Sequence, residues 1–390
     1  MRRIFTLFMC VILFAQSVCA KEENQTTKEE ADGMNIKAPS AILMELSSGQ
    51  IIYEKDADVE RAPASVTKIM TLLLIFDAIA GGQINYDDEV TVSEYAASMG
   101  GSQVFLEEGE VQTVDTLVKC ISVASANDAC VAMAEYISGS EEVFVKQMND
   151  RAKELGMKHT NFVNCNGLDT NGHVTTAYDI ALMSKELMSK YPKIQEYCRI
   201  WQENITHTTK KGETEFGLTN TNKLIRHYQY ATGLKTGSTS DAKFCISATA
   251  KKDDIELIAV IMAAEDSKQR NADAVTLFQY GFSKCKKYTE EKVINTPEVS
   301  RGQKTFVKTA QENLFTYVDT GGSDLNKITR TVEVVEKLDA PVKQGVKAGE
   351  AIYYLGDKEI GRVDILTVED VNKATYKTIL SETVKEYILN

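Results

Sequence analysis

Apolar residues crowd the stretch that opens at Ser65. Val66, Ile69, Met70, Leu72, Leu73, Leu74, Ile75 and Phe76 lie nearly all round a helix running to Ile79, and a helix that is apolar on every side is a buried one. Between Val114 and about Leu187 the segments VDTLVKCISVAS, DACVAMAEYI, EEVFVKQMNDRAKELG and TTAYDIALMSKEL carry apolar residues at spacings of three and four, which predicts further helices. Strand patterns flank this helical matter. AILMELSSGQIIY, residues 41 to 53, is two apolar stretches around a Ser-Ser-Gly turn and predicts a hairpin. CISATAKK and IELIAVIMAA are β-rich runs split by Lys251 to Asp254, and an AVTLFQYGF helix follows them. Helices inserted between strands of one sheet predict an α/β domain with a helical lobe and a cleft between the two.

After about Lys287 the pattern changes to short strand-like segments separated by Gly, Asp and Asn, among them NLFTYVDT, KITRTVEVV, AIYYLG and GRVDILTV, which predicts a small all-β domain over 287–372. The last stretch, 373–390, places Tyr376, Ile379, Leu380, Val384, Tyr387 and Ile388 on one helical face. Its lysines are offset by Glu382 and Glu386 and it has no Trp or Phe, so weak, salt-sensitive contact with a membrane surface is the most it should make; a terminal helix docked on the β domain is the alternative. At the other end Arg2 and Arg3 precede an apolar stretch from Ile4 to Ala15 and small residues up to Ala20. That stretch is short for a membrane span, and the pattern is that of a secretory signal over 1–20. A polar leader over 21–35 precedes the main domain, expected over 36–286.

Export makes the cysteines worth counting. Six remain beyond the signal, at 120, 130, 165, 198, 245 and 285, none in a CxxC pair, and their scatter through apolar segments reads as small buried side chains. Histidines 159, 173, 207 and 227 form no HExxH and no Cys/His cluster, so neither a metal site nor any cofactor is expected. Net charge is −12 and no block of Lys and Arg stands out, which excludes a nucleic-acid binder.

Candidate chemistry begins where the buried helix does. In APASVTKIMT, Ser65 and Lys68 are three apart, a spacing that puts hydroxyl and amine on one helical face. Ser240 with Lys243 and Ser283 with Lys286 share the spacing, so company must decide. Ser125, Ala126 and Asn127 interrupt an apolar sequence between two predicted helices, either as a loop at a cleft or as a helix cap. GLKTGSTS, residues 233 to 240, precedes the strand CISATA and suits either a plain turn or a strand edge that a ligand backbone approaches closely.

SVTK at 65–68, SAN at 125–127 and KTG at 235–237, in that order, are the three motifs of the penicillin-interacting serine acyltransferases. With PASVTKIMT, GSQVFLEEGE, SANDA, LGMKHTNFVNCNGLDTNGHVTTAYDIALM, NTNKLI and GLKTGSTSDAKFCISATA, the chain resembles the low-molecular-mass penicillin-binding proteins that are serine-type D-alanyl-D-alanine carboxypeptidases. LDAPVKQGVKAGE and IGRVDILT resemble that family's C-terminal β domain. The resemblance implies a penicillin-binding, serine β-lactamase-like transpeptidase fold, an antiparallel sheet with a helical lobe, plus the small all-β domain. It implies an exported hydrolase acting on peptidoglycan stem peptides and acylated by β-lactams, at the cell wall or the outer face of the cytoplasmic membrane. Ser65 is then the nucleophile, Lys68 its base, Ser125 a proton relay and Asn127 a holder of the substrate amide. Lys235, Thr236 and Arg270 bind the terminal carboxylate, Gly237 admits the substrate strand to the sheet edge, and the N–H groups of Ser65 and Ser238 form the oxyanion hole. Arg270 as a loop arginine on the surface is the plainer alternative. A class A β-lactamase shares the three motifs but needs a glutamate in an ExxLN segment, which has no convincing match between Asn127 and Lys235. A non-catalytic wall-peptide or β-lactam binder would keep the cleft without the chemistry.

Overall fold

The structure, a computed structural model, describes residues 34–210, 212–290, 294–376 and 380. The expected signal segment 1–20, nearly all of the leader 21–35 and most of the 373–390 tail lie outside the described residues. Two compact units divide the chain after Ser283.

In the first unit, strands β1 (Ser40–Glu45) and β2 (Ile51–Lys55) form the expected hairpin. Next come a 3₁₀ turn, Ala64–Thr67, and the buried helix α1 (Lys68–Ala80). The chain continues through β3 (Glu89–Thr91), α2 (Glu94–Ala97), β4 (Val111–Thr113), α3 (Val114–Lys119), α4 (Asn127–Ser138), α5 (Glu141–Glu154), α6 (Ala177–Lys190) and α7 (Ile194–Cys198). A hairpin of β5 (Gln202–Thr209) and β6 (Gly212–Thr219), the short helix α8 (Leu224–His227), strands β7 (Ala231–Thr239), β8 (Lys243–Lys252) and β9 (Ile255–Ala264), and helix α9 (Ser267–Lys284) complete it.

The main sheet runs β2-β1-β9-β8-β7, antiparallel throughout, so the first strands of the domain pair with its last and the helices form one long insertion. Every residue of β1 is buried, because both faces of the sheet are covered. Ile42 and Met44 face the main core with α1, while Leu43 meets Gly281 of α9, where a Cβ would stand 2.8 Å from Leu43 Cδ2. β7 is an edge strand of the sheet, and Ala64, Val66 and Ala126, chain neighbours of Ser65 and Ser125, belong to the main core. The β5–β6 hairpin was not foreseen from the sequence; most of its residues are exposed, so it has little hydrophobic alternation and is held by its ladder. Cys120, Cys130, Cys165, Cys198, Cys245 and Cys285 are buried, as their apolar settings implied.

In the second unit, Ile294–Asn295, Thr309–Gln311, Lys358–Thr367, Lys347–Leu355 and Ile328–Val334 form, in that spatial order, a five-stranded sheet. Its core stacks Phe315 on Tyr353, ring centroids 3.6 Å apart, and Gln311 donates to the buried Tyr353 hydroxyl at 2.7 Å.

Asp77 ties the helical lobe together. From α1 its carboxylate accepts from Arg151 of α5 at 3.1 Å, from Lys190 of α6 at 2.7 Å and from the Tyr191 hydroxyl. Burial pushes its pKa up, but donation from Lys190 and Tyr191 and the charge of Arg151 outweigh that and hold it below the usual carboxylate range. A depressed carboxylate stabilises the fold above its unfolded pKa, and the gain is lost as pH falls through the folded value. Asp77→Ala should therefore cost about 1–3 kcal/mol in urea unfolding at neutral pH, with the difference from the native chain closing as pH falls below the usual carboxylate range. A difference that persists in acid would mean that packing, not charge, holds the three helices.

Candidate active site

Ser65 lies in the 3₁₀ turn and Lys68 opens α1. Residues three apart eclipse one another in a 3₁₀ turn, and Lys68 Nζ stands 2.9 Å from Ser65 Oγ. The amine is fully buried and has two further neighbours, Asn127 Oδ1 at 2.7 Å and the main-chain carbonyl of Asn166 at 2.5 Å. The Asn127 amide is oriented by its other end, whose Nδ2 donates to the Gly100 carbonyl at 2.7 Å. Amide and carbonyl oxygens can only accept. A neutral Lys68 therefore spends its two N–H bonds on Asn127 and Asn166, and its lone pair is left directed at Ser65, the one neighbour of the three that can donate. Burial lowers the Lys68 pKa and so favours that neutral form. Lys235 is brought down as well, to about 7, by burial first and the charge of Lys68 second.

The SAN segment is a cleft element rather than a helix cap. Helix α3 runs into a π turn, Cys120–Ala124, which ends with Ser125 in the left-handed region at φ 63°. Non-glycine residues seldom occupy that region, and π turns and such strain recur at functional sites. Neither Ser125 nor Asn127 caps α4. The Ser125 hydroxyl is buried without a hydrogen-bond partner among the described residues. Asp128, not singled out from the sequence, holds the facing loop by accepting from the N–H groups of Val104 and Leu106, each at 3.1 Å.

Strand β7 closes the site. Gly237 lies on the nucleophile turn itself: a Cβ there would be 2.9 Å from Ser65 N and 3.0 Å from Pro63 O. Its lack of a side chain thus admits the Ser65 backbone, and it brings the Ser65 N–H alongside the β7 edge that carries the exposed Ser238. Lys235 is buried and donates to the Thr236 carbonyl at 3.0 Å, and the Thr236 hydroxyl donates to Thr221 at 2.7 Å. Arg270 is neither in a loop nor on the surface. It is buried in the first turn of α9, where Nη1 reaches the carbonyl of Cys245, the cross-strand partner of Gly237, at 3.4 Å. Burial lowers its pKa to about 10, and among the described residues it has no ion pair. With Lys68 in its neutral form, Lys235 and Arg270 are the buried cationic groups of the site. Among the described residues no cluster of His, Cys, Asp and Glu could hold a metal.

Asn166 and Gly167 escaped sequence reasoning because what they supply is backbone. Asn166 offers a carbonyl, which has no residue signature, and Gly167, at φ +87°, lies so close to the nucleophile turn that a Cβ would fall 1.9 Å from the Ala64 carbonyl oxygen. The signal available was the glycine in NCNGLD.

A serine facing a buried lysine, beside an Asn-bearing turn and a Lys-Thr-Gly strand on an antiparallel sheet, defines the penicillin-binding class of serine acyl-transfer fold. Comparison agrees. Residues 24–266 match the D-alanyl-D-alanine carboxypeptidase family, peptidase S11, and residues 282–373 match the C-terminal domain of penicillin-binding protein 5. The chain is 39% identical to D-alanyl-D-alanine carboxypeptidase DacF of Bacillus subtilis, over 99% of this chain and 98% of that one. It is 32% identical to D-alanyl-D-alanine carboxypeptidase DacD of Escherichia coli, over 89% and 90%. Penicillin-binding protein 5 of Haemophilus influenzae superposes with a TM-score of 0.67 at 28% identity, over 87% of this chain and 98% of that one. The chain belongs to the D-alanyl-D-alanine carboxypeptidase family of peptidase S11.

Gly167→Ala should cost about 3 kcal/mol, since the new Cβ overlaps backbone and the left-handed φ disfavours any side chain. Chemical denaturation measures it, and a loss under about 1 kcal/mol would mean that the loop moves aside freely.

Proposed function

We propose that the chain removes the terminal D-alanine from peptidoglycan stem peptides through an acyl-enzyme on Ser65. The observation that carries this is the arrangement at Lys68, whose Nζ lies 2.9 Å from Ser65 Oγ while Asn127 Oδ1 and the Asn166 carbonyl accept from it, so that in the neutral form its lone pair meets the serine hydroxyl. Ser65 Oγ attacks the carbonyl carbon of the penultimate D-alanine as its proton passes to Lys68. The oxyanion so formed accepts from the N–H groups of Ser65 and Ser238. When the C–N bond breaks, the departing D-alanine amine takes a proton through Ser125, whose hydroxyl is free for the relay. Water then attacks the ester, gives a proton to Lys68 and releases Ser65. Asn127 holds the substrate amide, while Lys235, Thr236 and Arg270 hold the terminal carboxylate.

β-Lactams enter as mimics of the same acyl donor. The loop facing Lys68 presents the Asn166 carbonyl, not a carboxylate, which supports a carboxypeptidase with slow release of β-lactam over a class A-like β-lactamase. Retention of every polar motif residue disfavours a non-catalytic binder. The relatives and the N-terminal pattern support an exported, extracytoplasmic protein at the cell wall or the outer face of the cytoplasmic membrane. No described helix is long and apolar enough to cross a membrane. Any weak membrane contact would come from the 373–390 tail.

Ser65→Ala should abolish penicillin labelling and lower release of D-alanine from a pentapeptide by at least about a thousandfold. Full labelling of that variant would refute the nucleophile. Lys68→Arg should be as damaging as Lys68→Ala, because arginine cannot give up its proton; near-normal acylation by the Arg variant would put the base elsewhere.

Thr236→Val and Arg270→Ala should weaken turnover of substrates ending in a carboxylate more than of the corresponding amides, and equal losses would refute carboxylate binding. The pH profile of kcat/KM should be bell-shaped. Its acid limb reflects freeing of the Lys68 amine, and its alkaline limb reflects loss of the Lys235 charge from about 7 upward in the free protein. A profile flat to well above about pH 7 would exclude a charge requirement at Lys235.

A further inference from the structure

The Asn166 carbonyl stays on Lys68 only if the loop that carries it is held against the nucleophile turn. Residues 163–173 form that loop, and a histidine at its far end grips the turn from within. His173 and Thr67 are both buried. The Val163 N–H donates to His173 Nδ1 at 2.9 Å, so Nδ1 carries no proton; Nε2 does, and it donates to Thr67 Oγ1 at 2.8 Å. Thr67 stands between Ser65 and Lys68 in the chain. One imidazole thus joins the start of the loop to the turn that carries the reacting pair. Beside it the Thr71 hydroxyl donates to the Cys165 carbonyl at 2.5 Å. Burial brings the His173 pKa down to about 4, which keeps the ring neutral and its single N–H on Thr67.

We propose that His173 is a positioning residue for acyl transfer, clasping Thr67 so that the Asn166 carbonyl remains on Lys68 and the lone pair of the amine remains on Ser65. This rests on Ser65 and Lys68 being the reacting pair. The ring touches no substrate and exchanges no proton in the reaction. It fixes the distance between loop and turn, and through that distance the direction of the Lys68 lone pair.

The test uses the whole chain and a fluorescent penicillin, separating the acylation rate constant from the affinity of the preceding complex, with thermal unfolding of each unreacted variant alongside. Thr67→Val removes the acceptor at constant shape and should slow acylation by about tenfold or more with little change in that affinity. Thr67→Ser keeps the hydroxyl and should acylate near the native rate. His173→Ala should be slowed like Thr67→Val, and the double variant should be no slower than the slower single one, because both break the same contact. Native acylation by a folded Thr67→Val, a Thr67→Ser as slow as Thr67→Val, or additive losses in the double variant would each overturn the proposal. If His173→Ala does not fold, the Thr67 pair decides alone. Absence of any Ser65 adduct in the unaltered chain would instead overturn the acyl-enzyme reading beneath it.

Discussion

Everything in the catalytic unit turns on keeping one lysine amine dry. An ammonium removed from water is costly unless it is fully solvated by protein oxygens, and Lys68 receives only three neighbours, one of them a hydroxyl. That is enough to hold the amine in place, while burial disfavours its charged form. Its reactivity therefore follows from what surrounds it: the apolar lobe that excludes water, the side-chain amide of α4 and the carbonyl of a loop distant in sequence.

Bringing those three supports to one atom demands close backbone approach, and the fold meets the demand with glycines. Gly237 lets β7 lie on the Ser65 N–H, and Gly167 lets the loop beside Asn166 lie on the Ala64 carbonyl. The nucleophile turn is thus pressed between a sheet edge and a loop, with no room for a methyl group on either side. Asp128 performs a related task with charge, accepting from the amides of Val104 and Leu106 in the loop that follows Gly100, whose carbonyl the Asn127 amide holds. Precision at the site comes from these supports more than from the reacting groups.

The same burial that tunes Lys68 acts on its neighbours. Lys235 and Arg270 are both lowered chiefly by desolvation, and the cations also repel one another. Buried positive charge is relieved by an anion, which supports the proposed binding of a terminal carboxylate.

Much of this was legible in the chain. The buried helix, the strand runs, the change of texture near Lys287 and the three motifs in order follow from periodicity and residue type, because a core helix must be apolar all round and a nucleophile, a base and a carboxylate binder each need a particular side chain. Sequence also placed Arg270 among the site residues, though only as one of two readings; its burial in α9 beneath the Gly237–Cys245 pair came from the fold. What the sequence could not determine were contributions made by backbone and by distance. The Asn166 carbonyl, the contact of Gly167 with Ala64, the His173 tautomer and the left-handed Ser125 depend on segments far apart in the chain meeting within hydrogen-bond reach, and the β5–β6 hairpin depends on ladder bonds that leave no hydrophobic pattern. Side-chain chemistry is written locally; the geometry that makes it reactive exists only once the chain has closed on itself.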